Sequence, residues 1–257
     1  MALLGRVVVV SIPSCRSAWQ HGPMPGLLEV IAMHEADARR AEEGGADRVE
    51  LLGSLDDGGM SPEPALVEKV RAAVGLQIRP MVRLREGFGT DGGEFTRLTG
   101  LVQSYLDAGA DGVVFGFLNG YDEVDVEVCQ ALADQTYGAW TFHRAIDSAL
   151  DTGKAWKAVL GLPHVDQVLT AGSPRGVEFG LDDLVARCRA DERIASLVMA
   201  GGGLQPEHVP WLARAGVSAF HIGRAARPLG EYKAYVDAAL VGSWRELIDD
   251  EVGRHAS

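Results

Sequence analysis

The chain has 257 residues, 47% of them hydrophobic and 23% charged, with 32 glycines and 11 prolines. That length and mix suit one large α/β domain and exclude disordered or collagen-like architectures. Its 36 acidic and 24 basic residues leave a formal charge of −12, so a phosphate backbone is repelled over most of the surface and nucleic acid is not an expected partner.

The first apolar run, Val7–Val10 with Ile12 close behind, stops at Pro13. It is far shorter than the roughly 20 residues that span a bilayer, and no small-x-small cleavage pattern follows. Residues 1–26 are read as an extension outside the core, with Met24 as an alternative start, and residues 27–257 as the domain. Cys15, Cys129 and Cys188 are odd in number and widely spaced, which fits neither a disulfide framework nor a paired-thiolate metal site and points to a reducing cytoplasm.

From residue 27 onward short β-branched runs alternate with amphipathic stretches. Strands are expected at 27–31, 48–52, 78–83, 112–117, 139–143, 167–170, 196–200 and 218–222. Between them apolar residues fall at helical spacing, as in Leu66, Val67, Val70 and Val74, or Leu98, Leu101, Val102 and Tyr105. Eight strand–helix units predict a single (β/α)8 TIM barrel rather than an open doubly wound sheet. An internal echo supports the repeat: Glu43–Glu50, Asp107–Val114, Leu162–Leu169 and Arg214–His221 share one layout of helix end, left-handed cap and strand.

In such barrels function gathers where strands finish. Polar groups there are unusually dense: Glu29, Glu50, Arg83, His143 with Arg144, Thr170 and His221. An ionised group inside a barrel must find a partner or shift its pKa, so several together suggest a site; a buried Glu–Arg network that only closes the barrel is the plain alternative. In His143-Arg-Ala-Ile-Asp147, Asp147 either charges and orients the histidine or merely caps the next helix while pairing with Arg144. Gly201, Gly202 and Gly203 after strand seven, with Gly223 and Arg224 after strand eight, have the makings of an anion cradle. His34, His164 and His208 are read as surface residues away from these ends. The four lysines, Lys69, Lys154, Lys157 and Lys233, all fall in stretches read as helical, which argues against a Schiff-base mechanism.

Taken together, Leu28-Glu-Val30, Glu43-Gly-Gly-Ala-Asp-Arg-Val-Glu-Leu51, Gly58-Gly59 with Ser61-Pro62, Gly109–Gly116, Thr141-Phe-His-Arg-Ala145 with Asp147, Leu169-Thr170 with Gly172, and Gly201–Gly203 resemble the CutC family, named for copper homeostasis. The likeness runs from about Leu27 to Arg227. It implies a cytoplasmic TIM-type barrel, homo-oligomeric, with the strand-end residues around one pocket. Family members often carry cysteines two residues beyond the first- and second-strand glutamates, suited to copper(I); here those positions hold Ile31 and Leu52. Substitute thioethers at Met33, Met60 and Met81 show no converging pattern in the sequence, and Cys129 and Cys188 are the thiols left to consider. The family's Arg-Pro-Arg-Gly-Gly appears as Arg83-Leu-Arg-Glu-Gly87, keeping Arg83 and Arg85.

Two readings follow. By resemblance the chain belongs to copper homeostasis, with a strand-end pocket suited to a small anion. The alternative is an acid–base enzyme of isomerase or lyase type acting on a phosphorylated or carboxylated metabolite, without a direct copper role. The candidate catalytic residues are Glu29, Glu50, Arg83, His143 and Asp147. Candidate ligand-binding residues are Arg85, Arg144, Thr170, Gly201, Gly202, Gly203, His221, Gly223 and Arg224, with no residue assigned to a metal.

Overall fold

The computed structural model of the chain describes residues 26–136 and 138–255, and of Asp57 the backbone alone. The extension, including Cys15 and Met24, therefore lies outside the described residues. From Gly26 the chain runs β1 (Leu27–Ala32), α1 (Glu35–Glu43), β2 (Arg48–Leu51), α2 (Pro64–Ala73), β3 (Gln77–Pro80), α3 (Gly92–Asp107), β4 (Val113–Phe115) and α4 (Val126–Ala133). It continues through β5 (Trp140–Phe142), α5 (Thr152–Val159), β6 (Val165–Thr170), α6 (Val177–Ala190), α7 (Glu192–Leu197), β7 (Val198–Ala200), α8 (Val209–Arg214), β8 (Ala219–Ile222) and α9 (Ala238–Gly253).

The parallel strands follow the order β3-β2-β1-β8-β7-β6-β5-β4. A bridge between Met81 and Val114, with Val82 N donating to Val114 O at 2.8 Å, closes β3 onto β4. This is the (β/α)8 barrel that the eight-fold alternation predicts. The strand read at 196–200 starts later than expected, because Ser196 and Leu197 complete the inserted helix α7. Lys233 departs from its helical expectation as well, lying in a turn between β8 and α9.

The repeated caps explain how each unit re-enters the barrel. Gly45, Gly109 and Gly216 have φ of 86°, 92° and 90°, and His164 takes the equivalent place in the third copy with φ of 61°. Each reverses a helix end into the following strand, and glycine adopts this conformation without a Cβ penalty.

Alternation along the strands divides the core. Leu28, Val30, Val49 and Leu51 belong to the large cluster between strands and helices. The inward set holds two small apolar clusters. One comprises Ile31, Leu52, Met81 and Val114, and the other Leu169, Met199 and Ala219 with Leu27 against them. Glu29 lies between Leu27 and Ile31 on the same face of β1, so a charged layer is held between the two.

No helix among the described residues is long and apolar enough to cross a membrane.

Candidate functional site

The charged layer is built by register. Glu29 stands beside Arg48 of β2 on one side and His221 of β8 on the other. Arg48 Nε donates to Glu29 Oε2 at 2.5 Å, and its Nη2 reaches Met199 Sδ at 3.1 Å. His221 Nδ1 lies 2.7 Å from Glu29 Oε1, while its Nε2 is 3.8 Å from Glu50 Oε2. All four side chains are buried.

Burial by itself would push the Glu29 carboxyl up, but Arg48 and then His221 reverse this and hold it well below the usual carboxylate range. Glu50 lacks such a donor. Burial, aided by the Glu29 charge, pushes it up to about 7 against the pull of His221. Its Oε1 is buried without a hydrogen-bond partner. His221 is raised above the ordinary histidine range because its two carboxylate neighbours outweigh the opposing effect of burial.

Above this layer the strand ends open into a cleft of about 1020 Å³, lined among others by Glu50, Arg83, Phe88, His143, Arg144 and His221. His143 follows β5, and its ring folds back so that Nδ1 accepts the Ala145 N–H at 3.2 Å. Only glycine leaves room at 116, where a Cβ would come within 2.8 Å of that nitrogen. Burial, then the charges of Arg83 and Arg144, drive the His143 pKa down to about 3. Arg83 donates to the Gly87 carbonyl from Nε at 3.0 Å and from Nη2 at 2.9 Å, and its guanidinium lies 4.8 Å from the Phe88 ring centre.

Asp147 is buried and accepts from Thr170 Oγ1 at 2.5 Å, Ala171 N at 2.9 Å and Arg144 Nε at 2.9 Å. It therefore fixes Arg144 and ties the turn after β5 to the end of β6, without orienting His143. Arg144 also donates to the Ser173 carbonyl at 2.9 Å. Gly202, with φ of 93°, passes so close that a Cβ would stand 2.7 Å from the Arg144 guanidinium carbon. Among the described hydrogen bonds none is donated by the backbone N–H of Gly202, Gly203, Gly223 or Arg224. Those four positions line the same cleft.

Of the residues expected at the site, Glu50, Arg83, His143, Arg144, Gly202, Gly203, His221, Gly223 and Arg224 line the cleft. Glu29 is one layer down, Asp147 and Thr170 lie behind the wall, and Gly201 is closed off by Leu169 and His221. Arg85 faces outward, paired with Asp91 and Glu94. Two histidines also differ from expectation. His208 is buried, its Nδ1 accepting Gln205 N at 3.0 Å, and exposed His34 sits past the C-terminal end of β1.

Sequence reasoning missed Arg48, Arg227 and Tyr232. Arg48 shares the inward face of β2 with Glu50, so alternation alone could have found it. Tyr232 faces the cleft beneath the guanidinium carbons of Arg224 and Arg227, 5.0 and 5.4 Å from its ring centre; no periodic signal marks such loop residues.

The donors do not fit a thiolate site for copper(I). Ile31 and Leu52 are apolar, and burial holds the Cys129 and Cys188 thiols up to about 12 in the layer between strands and helices. No group of three or more His, Cys, Asp or Glu side chains among the described residues converges as a metal site. Met33 and Met81 nevertheless share one apolar cluster, a convergence absent from the sequence pattern.

The fold and mouth define a (β/α)8 barrel with a polar strand-end cleft. The CutC family model matches residues 27–226, and the chain belongs to that family. It is 34% identical over 197 residues to a CutC family protein of Klebsiella pneumoniae strain 342, covering 76% of this chain and 78% of that one. A CutC family protein of Xanthomonas campestris pv. campestris strain B100 is 35% identical over 204 residues, covering 78% and 83%. The crystal structure of CutC from Streptococcus agalactiae, named for copper homeostasis, superposes with a TM-score of 0.70 at 24% identity, covering 77% of this chain and 98% of that one.

Proposed function

We propose that the cleft binds a small anionic metabolite and moves a proton on it, with Glu50 as the group that carries the proton. The observation behind this reading is the buried, partnerless Oε1 of Glu50 in a carboxyl held up to about 7. A group poised near neutrality is suited to give and take protons. His221, itself oriented by Glu29 and Arg48, sets the charge beside Glu50. The N–H groups of the two glycine loops and the Arg224 guanidinium supply the anion contacts. A cytoplasmic location and a homo-oligomeric state belong to the same reading, carried over from the family resemblance.

The test is a thermal-shift screen of phosphorylated and carboxylated metabolites, with each hit then incubated in D2O. The wild-type protein is expected to introduce deuterium into a hit, and Glu50→Gln to bind that hit without exchange. A screen with no hits, or exchange undiminished in Glu50→Gln, overturns the reading.

A second reading rests on the name of the Streptococcus agalactiae relative and on the placement of Met33 and Met81 in one apolar cluster. It makes the chain a copper(I) buffer without turnover, held by thioethers. Competition against a chromophoric copper(I) chelator under anaerobic reducing conditions tests it: stoichiometric binding lost in Met33→Leu supports it, and failure to compete removes it.

A further inference from the structure

Glu50 and His143 reach the same cleft from β2 and from the end of β5, with β3 and β4 between them around the barrel. They differ in what they can do with a proton. Glu50 offers a bare buried oxygen. The position of the ring hydrogen on His143 is set by its neighbour: Nδ1 accepts the Ala145 N–H, so a neutral ring carries its hydrogen on Nε2. The ring cannot serve as a base through a nitrogen that is already accepting.

The surroundings of His143 are cationic and tightly held. Phe88 lies between Arg83 and His143, 4.8 Å from the guanidinium carbon of the one and 5.4 Å between ring centres for the other. Arg144 follows His143 in the chain and is fixed by Asp147. Burial and these two positive charges disfavour the imidazolium form. A neutral imidazole N–H beside guanidinium groups stabilises an oxygen that gains negative charge, without transferring its proton outright.

We infer that the ligand is a phosphorylated carbonyl compound bearing a C–H next to the carbonyl, its carbonyl oxygen held by His143 Nε2–H and that C–H presented to Glu50. The inference rests on the reading of Glu50 as the proton carrier and adds the substrate class. In the step, the proton leaves carbon for the Glu50 carboxylate, and the C–H electron pair becomes the C=C bond of an enolate. The carbonyl π pair moves onto oxygen, where the His143 Nε2–H meets the new charge and the guanidinium charge behind Phe88 adds its field. Return of a proton from Glu50 restores the carbonyl compound, so the minimal reaction exchanges one carbon-bound hydrogen with water and needs no oxidant or reductant. The phosphate falls to the loops after β7 and β8.

The experiment compares two probes on the full chain by calorimetry: ethyl phosphate, and 2-phosphoglycolate, whose carboxylate places an anionic oxygen where the enolate oxygen would form. The wild type is expected to favour 2-phosphoglycolate by roughly tenfold, the range of a charge-assisted hydrogen bond, and His143→Phe to lose that preference while still binding ethyl phosphate. A second measurement needs no variant. Long-range 1H–15N spectra of histidine-labelled protein should show His143 as the neutral Nε2–H form from pH 5 to 8, with its signals shifting on addition of 2-phosphoglycolate. Equal affinity for the two probes, or His143 found as the Nδ1–H form or as imidazolium, overturns this inference and leaves the anion-site reading standing. Failure of both probes to bind overturns this inference, and the anion-site reading falls with it if the metabolite screen also gives no hit.

Discussion

Glu29 presents one oxygen to His221 Nδ1 at 2.7 Å and the other to Arg48 at 2.5 Å, so one buried carboxylate joins β2 to β8 through β1. Removing one partner of such a pair leaves an uncompensated charge in the barrel. Arg48→Ala should cost about 3–5 kcal/mol. The double variant Arg48→Ala/Glu29→Gln should lose less than the sum of the two single changes, because it discards both charges together. Urea unfolding of the three variants checks this, and strict additivity would show that the two residues are energetically separate.

Glu50 makes the opposite contribution to stability. In the unfolded chain its carboxyl ionises near 4.5, while in the folded barrel it holds its proton up to about 7. The folded state therefore binds more protons between those values, and this group's contribution is present below pH 4.5 and lost as pH rises through 7. Glu50→Gln is neutral throughout. Calorimetric melts should show it more stable than the wild type at pH 8, by roughly 1–3 kcal/mol, with the difference shrinking towards pH 5. A gain that does not vary with pH would contradict the assignment.

His143 contributes to the acid limb. It takes up a proton near pH 6.5 when unfolded but only near 3 when folded. The unfolded state thus binds more protons in that window, and stability falls as the pH drops through it. His143→Gln, which does not titrate, should flatten the pH dependence of the melting temperature between 6.5 and 4. An unchanged slope would place the acid sensitivity elsewhere.

Two adjacent glycines should respond differently to alanine. At Gly202 the new Cβ meets the Arg144 guanidinium at 2.7 Å, whereas at Gly203 nothing lies within 4 Å. Both have positive φ, 93° and 77°, so each pays a backbone cost of about 1–2 kcal/mol. Gly202→Ala must in addition displace Arg144, and its binding of inorganic phosphate should fall well below that of Gly203→Ala. Equal phosphate affinities in a titration would show that the placement of Arg144 against Gly202 does not bear on anion binding.

Asp147 should behave as a positioning residue. Asp147→Ala strips Thr170 Oγ1, Ala171 N and Arg144 Nε of their shared acceptor, at a cost of about 2–4 kcal/mol. Asp147→Asn keeps a carbonyl acceptor and should recover part of that stability. If neither variant shifts the unfolding midpoint, the carboxylate does not carry the junction.

Much of the fold was legible in the sequence because strand alternation and the repeated caps are local signals. Glu29, Glu50 and His221 stood out as charged residues inside apolar strands, and the barrel brings them together. Depth was not legible. Whether Glu29 faces the cleft or lies beneath it depends on how strand registers stack, and whether Asp147 meets His143 or Thr170 depends on a short turn after β5. His208 looked like a surface histidine because its partner, the Gln205 backbone, lies in a loop without periodicity. Arg48 was passed over although it stands two residues before Glu50, because a single arginine at a strand start resembles a solvent-facing edge.

Arg227 lies on the cleft wall and is buried against Asp37, with Nη2 at 3.1 Å from Oδ2 across 190 positions of sequence. Asp37 also accepts the Val236 N–H at 2.9 Å. The first helix is thus clasped by the segment that follows the last strand. During synthesis from the N-terminus this clasp forms only once residue 236 has left the ribosome. Even a nascent chain that has completed β8 at Ile222 therefore has its barrel strands before the segment that clasps the first helix, so the mouth is finished after the walls.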